Sequence, residues 1–379
     1  MATVDNHGSD TPSLTDRIAA WRDRLVGSRD FQSWAARFPL TRRAARRDGE
    51  RLFDLVAGFT HSQVLHAVVS LGLIDHLANG PRSPAELALR CGVPPERMAV
   101  LCQAAAALDL LKRCRDGRFR LARLGAALNG VPGLPEMILH HSVLYRDLAE
   151  PGAFFRGETE TELAGFWPYV FGSEGDVDPD VAATYSNLMA DSQVLVAEET
   201  LKAVDLSDTA ALLDIGGGTG AFLAAVGAAY PELALHLFDL PAVAPTAQDR
   251  FDAAGLSGRA TIHSGSFQRD PLPIGADAIS LIRVLYDHQD ATVRALLASA
   301  HATLPPGGRI VISEPMSGGD RPERAGDAYF ALYCLAMRTG TVRSAGRIAD
   351  LLSEAGFVAV AIPKVDRPFV TRVVTAEKA

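Results

Sequence analysis

The sequence is poor in cysteine. Cys91, Cys102, Cys114 and Cys334 are its four, and none pairs as CxxC or at a zinc-site spacing. That pattern excludes a disulfide framework and a structural metal ribbon, so no metal ligands are assigned. With no secretory signal, the thiols read as reduced in a cytoplasmic protein. Met1–Asp16 lacks the apolar core of a signal peptide, and its polar composition predicts a disordered tail. Cationic excess is missing too. The 37 Lys and Arg stand against 45 Asp and Glu, a net charge of −8, which argues against nucleic acid as a partner. No apolar stretch is long enough to span a bilayer.

What is present suits about two soluble domains: 48% hydrophobic and 22% charged residues in 379. Residues 17–51 read as helical and basic, with Arg42, Arg43, Arg46, Arg47 and Arg51 after Pro39. A charge run of this kind is first of all a solvated helix face. The sharper reading is attraction to an anionic membrane surface, with Phe31, Trp34 and Phe38 at the interface.

From 52 to 130 helical spacing dominates, carried by Phe53, Val56, Phe59, Val64, Leu65 and Val68. Ser83-Pro84-Ala85-Glu86 is a helix start with N-cap, N1 proline and N3 acid. Gly117–Leu121 sits between short strands as a wing would. Helices followed by a wing predict a winged-helix unit. The helix that would read DNA, Glu96–Leu110, is mostly apolar, so its surface needs burial, and a subunit interface supplies it. Residues 131–205 read as a helical layer rich in aromatics, among them Tyr145, Phe154, Phe155, Phe166, Trp167, Tyr169, Phe171 and Tyr185. Such a layer can wall an apolar pocket, although each residue singly also fits ordinary core packing.

From 206 onward strand and helix alternate, which predicts a doubly wound α/β sheet. Strands are expected at 211–215, 234–238, 260–263, 276–285, 308–313, 357–361 and 368–374. The last two are joined by Pro363–Pro368, too short for a helical crossover, so they should form a terminal antiparallel hairpin. The predicted organisation is thus tail 1–16, helical winged-helix dimerisation domain 17–130, helical linker and pocket layer 131–205, and cofactor-binding domain 206–379.

The cofactor domain opens on Leu212-Leu213-Asp214-Ile215-Gly216-Gly217-Gly218-Thr219-Gly220. A strand that turns through glycines into a helix sets bare backbone and a helix N-terminus against a ligand. Asp239 ends the next strand, where an acid can hold a ribose diol. The glycine spacing alone also fits a dinucleotide. Asp214 favours S-adenosylmethionine, since a carboxylate there suits an ammonium and repels a pyrophosphate. The N-terminal helical region, the terminal hairpin and the order of later motifs favour it as well.

Those motifs carry a resemblance. From Glu50 to Thr375 the chain resembles the small-molecule O-methyltransferase family of plant caffeate and hydroxyindole enzymes. The matching segments are Asp214–Gly220, Phe238-Asp239-Leu240-Pro241, Gly265-Ser266-Phe267, Leu304-Pro305-Pro306-Gly307-Gly308 and Glu314. The resemblance implies a winged-helix domain that forms a homodimer and a class I methyltransferase domain. It implies that Asp214, Gly216, Gly217, Gly218, Asp239, Leu240, Gly265, Ser266, Phe267 and Arg283 bind S-adenosylmethionine. Ser266 replaces the usual acid near the adenine. Met189 and Ser192, next to Asp191, lie on the helix that in the family faces cofactor and substrate.

The family's phenol chemistry is incomplete here. Its base is a histidine in an "HDW" segment backed by two acids. In register, Tyr286 takes the histidine position and His288 the tryptophan position in Leu285-Tyr286-Asp287-His288. The second acid falls on Val342, which leaves Glu314. A tyrosine titrates near 10 and is a poor base unless perturbed. Tyr286 can instead orient the acceptor, and strand alternation would turn His288 to the same face as a substitute base.

Three segments narrow the resemblance: Arg283–His288, Gly265–Asp277 and Phe31–Arg43. They are similar to the carotenoid O-methyltransferases of purple phototrophic bacteria, which methylate the tertiary 1-hydroxyl of acyclic hydroxycarotenoids such as demethylspheroidene. That implies an elongated apolar substrate and a peripheral encounter with the photosynthetic membrane. Other readings fit the missing base: a bacteriochlorophyllide C-methyltransferase or an antibiotic-pathway O-methyltransferase. From a different class comes a winged-helix regulator binding a nucleoside ligand, against which the acidic charge and apolar helix count.

Overall fold

In the computed structural model, the structure describes residues 13–166 and 192–379. Trp167, Tyr169, Phe171, Tyr185, Met189 and Asp191 lie outside these residues. The chain divides into two compact units, residues 1–73 with 81–120, and residues 74–80 with 121–379.

The first unit begins with three helices: α1 (Leu14–Val26), α2 (Arg29–Arg37) and α3 (Arg42–Ser70). The α1 helix starts inside the stretch expected to be tail. Ser13 and Asp16 cap each other's backbone amides there, a reciprocal arrangement that fixes a helix start. The helix at Pro84–Cys91 has the same arrangement through Ser83 and Glu86. The wing is present as β1 (Leu111–Arg113) and β2 (Phe119–Leu121). The helix before it, Pro95–Ala107, buries Met98, Cys102 and Ala105.

The α3 face departs from expectation. Val68 is fully buried, but Phe53, Val56 and Phe59 are about two-thirds exposed or more, alongside Leu52 and Leu55. Helical spacing marks an apolar face without saying what covers it. By length and mean hydropathy α3 also reaches the range of a membrane-crossing helix, and little of its apolar stretch is buried. The sequence reading missed this because Asp54, His61, Gln63 and His66 interrupt any continuous apolar run.

The second unit is built on a seven-stranded sheet: β3 (Ala211–Ile215), β4 (Ala234–Asp239), β5 (Ala260–Ser264), β6 (Ala278–Ile282), β7 (Arg309–Glu314), β8 (Phe357–Ala361) and β9 (Arg372–Lys378). The order is β5-β4-β3-β6-β7-β9-β8. The first five strands are parallel, and β9 runs antiparallel between β7 and β8. The terminal hairpin is therefore as predicted. Strands β3 and β6 are buried along their whole length, as expected for a parallel sheet covered on both faces. One hydrophobic cluster gathers β6, β7, Asp290–Thr303 and Ala345–Glu354, and another lies around Phe222, Phe251 and Leu237.

Two strand ends differ from the sequence reading. The expected strand 276–285 leaves the sheet at Ile282, because Arg283 adopts φ 60° and a tight 3₁₀ turn follows at Leu285–Asp287. The last strand starts at Arg372, since residues 367–371 are still turning through amide bonds back to the Arg367 carbonyl. Strand order runs outward in both directions from the β3–β6 pair. That switch point leaves a crevice at the C-terminal strand ends, where doubly wound folds bind ligands.

Candidate active site

The crevice is an open cleft at the C-terminal ends of the strands, where doubly wound sheets bind ligands. Each wall is a strand end. Gly216 follows β3, Asp239 and Leu240 end β4, and Gly265–Arg269 follow β5. Arg283, Val284, Asp287 and His288 follow β6. Of the residues expected at the cofactor, Gly216, Asp239, Leu240, Gly265, Ser266, Phe267 and Arg283 thus share one cleft. Asp214, Gly217 and Gly218 are not among the described residues that line it; they lie on the same strand end and turn as Gly216.

Gly216 sits at φ 70°, and a Cβ there would stand 2.8 Å from a methyl of Val284. Only glycine lets the loop pass that close at that angle. Asp239 holds the loop: one carboxylate oxygen accepts the Gly218 N–H at 2.7 Å and the other accepts the Leu240 N–H at 2.6 Å. Each oxygen keeps a lone pair for a further donor. Burial raises the Asp239 carboxyl, opposed by those two amides.

Asp214 is fully enclosed. Ser280, its partner in register on β6, donates to it at 2.6 Å. Burial pushes it up to about 7, and its second oxygen has no hydrogen-bond partner among the described residues. Asp214, expected near the ammonium, thus lies buried one residue before the end of β3, where the glycine turn begins. Ser266 donates its N–H to Asp270 at 2.8 Å, so a carboxylate near this turn comes from four residues downstream.

The turn after β6 carries the chemistry. Strand alternation does not apply there, because the strand has ended. His288 lines the cleft, and Tyr286, two residues before it on the same turn, is 4% exposed. Burial drives the Tyr286 hydroxyl well above its ordinary value, although the Arg283 guanidinium beside it opposes that shift. This tyrosine is a donor at any physiological pH. Burial, with help from the Arg343 cation, pushes His288 down to about 4. Its neutral ring meets Phe267 edge-on at 5.2 Å. Glu314, at the end of β7, is completely buried and accepts the Tyr286 N–H at 3.1 Å. Burial pushes it up to about 7. It braces the turn and does not line the cleft.

Sequence reasoning missed several groups here. Asp287 lines the cleft between the two residues it had singled out. Arg343, 3% exposed, stands next to Val342, where the missing acid had drawn attention. Its guanidinium donates to the carbonyls of Leu285 at 2.9 Å, Thr341 at 3.0 Å and His288 at 2.8 Å, and pairs with Asp290 at 2.7 Å. Gly340 lets this segment close on the turn: a Cβ there would stand 2.3 Å from the Tyr286 carbonyl oxygen. Ser192, expected at the substrate, accepts from Arg283 Nη1 at 2.7 Å. A second aromatic layer joins His140 to Tyr333 at 2.9 Å and His141 to Tyr329 at 2.6 Å. The one signal for it is the four-residue spacing of Tyr329 and Tyr333 beside an adjacent histidine pair.

Comparison with known proteins places this geometry. Residues 145–358 match an O-methyltransferase domain, and residues 53–129 match an O-methyltransferase dimerisation domain. The chain is 58% identical to a demethylspheroidene O-methyltransferase of Cereibacter sphaeroides, covering 93% of both chains. It is 53% identical to the Rhodobacter capsulatus enzyme of the same name, covering 94% of this chain and 88% of that one. Its fold is similar to that of human N-acetylserotonin methyltransferase in complex with S-adenosylmethionine, with TM-score 0.74 and 27% identity over 88% of this chain and 98% of that one. The bare backbone at Gly216 and the lone pairs left on Asp239 fit that cofactor. The chain belongs to the S-adenosylmethionine-dependent O-methyltransferase family, with a dimerisation domain and a class I methyltransferase fold.

Proposed function

We propose that the protein transfers a methyl group to the tertiary 1-hydroxyl of an acyclic hydroxycarotenoid of the demethylspheroidene type. Identity of 58% and 53% to two demethylspheroidene O-methyltransferases, across about nine-tenths of the chain, carries this reading. Tyr286 at the histidine position supports it, since a tertiary alcohol is not activated as a phenol is. In this reading Asp239 receives the ribose hydroxyls, Leu240, Ser266 and Phe267 flank the adenine, and Gly216, Gly217 and Gly218 shape the loop around the cofactor. S-adenosylmethionine supplies an activated methyl on sulfur. Arg283 and Tyr286 orient the acceptor oxygen, Ser192 reaches the acceptor side through Arg283, and Glu314 holds Tyr286 in place. Excluding water from so activated a donor is itself a large part of catalysis.

The test is incubation with labelled S-adenosylmethionine and three acceptors: a hydroxylated acyclic carotenoid, a chlorophyllide and a phenol. Methyl transfer to the carotenoid hydroxyl is expected. Transfer to the phenol alone would refute the assignment.

The same reading includes a homodimer formed through the N-terminal unit and a cytoplasmic protein that meets its apolar substrate at the photosynthetic membrane. Described residues 13–51 hold ten arginines against five acids, a net of +5 in a chain of −8. Trp34 and Phe38 stack at 4.8 Å, and Trp21, Trp34 and Leu40 stand exposed. Arginines interleaved with exposed aromatics suit an anionic lipid surface. Flotation with vesicles containing phosphatidylglycerol should carry the protein up at low salt and release it at high salt. Equal binding to neutral vesicles would count against the electrostatic contact.

A further inference from the structure

Methylating a hydroxyl oxygen releases one proton, and the family's histidine is absent. Among the described residues, the side chains that line the cleft offer few groups to receive it. Asp239 holds the loop amides, and its remaining lone pairs serve the ribose hydroxyls in the reading above. His288 is a weak base, pushed down to about 4. Tyr286 is a donor, and Glu314 is sealed behind the turn. Asp287 is different. It sits on the 3₁₀ turn and lines the cleft. One of its carboxylate oxygens is enclosed by protein yet has no hydrogen-bond partner among the described residues. A buried carboxylate oxygen without a donor is costly in a resting protein and is suited to a proton that arrives with the substrate.

We propose that Asp287 is the catalytic base of this enzyme, its carboxylate taking the acceptor's hydroxyl proton in place of the missing histidine. The proposal rests on the oxygen-methylation reading above. As the acceptor oxygen bonds to the methyl carbon, the carbon–sulfur bond of the donor breaks with its electron pair left on sulfur, and the O–H proton passes to Asp287. The groups around Asp287 tune it for this. Arg283 and Tyr286 flank it on its own segment, Glu314 faces it from β7, and Tyr333 and Cys334 face it from helix Ala331–Met337. Burial, reinforced by the negative charge of Glu314 and opposed by Arg283, pushes it up to about 8. An ordinary carboxyl titrates near 4, so Asp287 is a far stronger proton acceptor. Its active form is the carboxylate. Turnover should therefore rise with pH through the region of 8.

The experiment compares wild type, Asp287→Asn and Asp287→Glu, using the acceptor from the panel that wild type methylates on oxygen. Rates are read across about pH 6 to 9, with S-adenosylhomocysteine affinity measured by calorimetry. Asp287→Asn should lower kcat about 100-fold or more and abolish the rising limb, the range expected for a lost general base. Affinity for S-adenosylhomocysteine should stay within about 3-fold, which a general collapse of the turn would not allow. Infrared titration should lose one protonated carboxyl that titrates near pH 8 in wild type. Should Asp287→Asn fail to fold, Asp287→Glu decides: its rising limb must move from the wild-type position, and an unmoved limb overturns the proposal. Wild type active on the hydroxycarotenoid with Asp287→Asn equally active overturns this proposal alone. Wild type that methylates only a chlorophyllide carbon overturns both this and the reading beneath it.

Discussion

Arg343→Met removes the guanidinium and keeps a stem of similar shape. The lost bonds run to the carbonyls of Leu285, Thr341 and His288, together with the ion pair to Asp290. Not all of these partners are stranded. Leu285 O still accepts the His288 N–H, and Asp290 still pairs with Arg347 at 3.1 Å. The His288 carbonyl loses its charged donor. Breaking a buried charged contact costs about 3–5 kcal/mol, and the surviving partners place this case at the low end, about 3 kcal/mol. A domain of this size loses roughly 2 °C per kcal/mol, so the melting midpoint should fall by about 6 °C. The larger effect is on rate. The turn that presents Asp287 and His288 would lose its anchor, and misplacement of about 1 Å costs roughly 100-fold in a positioned reaction. Cofactor affinity should fall less, because Asp239 is held by its own loop. Arg343→Lys keeps the charge but not the planar fork that serves several carbonyls at once, so it should recover less than half of the stability. Calorimetric scanning and steady-state kinetics read both quantities. Arg343→Met within about 1 kcal/mol and within about 2-fold in kcat of wild type would refute the clamp.

Asp239→Ala should weaken S-adenosylmethionine binding about 100-fold, since two charge-assisted bonds to a diol are worth about 3 kcal/mol; unchanged affinity by calorimetry would remove the ribose assignment. Tyr286→Phe should lower turnover while cofactor affinity stays within about 2-fold, and full retention of rate would reduce Tyr286 to packing. Glu314 adds a pH dependence to stability. Its folded carboxyl titrates above its unfolded value, so the protonated form is favoured in the fold. That contribution is complete below about pH 4.5 and fades as pH rises to about 7. Glu314→Gln, which keeps an oxygen for the Tyr286 N–H, should gain up to about 3 kcal/mol over wild type above pH 7 and nothing near pH 4. Urea unfolding at both pH values checks it, and equal stability differences at the two would contradict the buried-acid reading.

The sheet was largely legible because its strands are uniformly apolar segments separated by strong turn signals. Strand β3 begins and ends where the glycines predict, and Asp239 sits at the end of β4 as the ribose-binding motif requires. The turn after β6 was not legible. Ala276–Leu285 reads as one apolar strand, and nothing in residue type announces that Arg283 takes a left-handed conformation and lifts the chain out of the sheet. The pairing of Tyr286 and His288 on one face followed from a strand that is not there. Asp287 was overlooked between them because the family pattern directs attention to its neighbours. Arg343 was hidden for a different reason: its partners are backbone carbonyls, which every residue has, so no sequence pattern encodes them. The α3 face shows the same limit in packing. Periodicity located Phe53, Val56 and Phe59 on one stripe, but what lies against that stripe is not a property of the helix.

The Arg343 clamp grips the 285–288 turn by main-chain oxygens alone. The side chains on that turn are therefore free to change without altering its path. A histidine can be exchanged for a tyrosine, and the proton-accepting duty handed to an adjacent residue, with the peptide trace conserved. Such a turn behaves as a socket into which different reactive groups can be fitted. Replacing Tyr286 by histidine is then a graft onto an intact frame, and evolution could have crossed between phenol and alcohol acceptors in steps that never required refolding the domain.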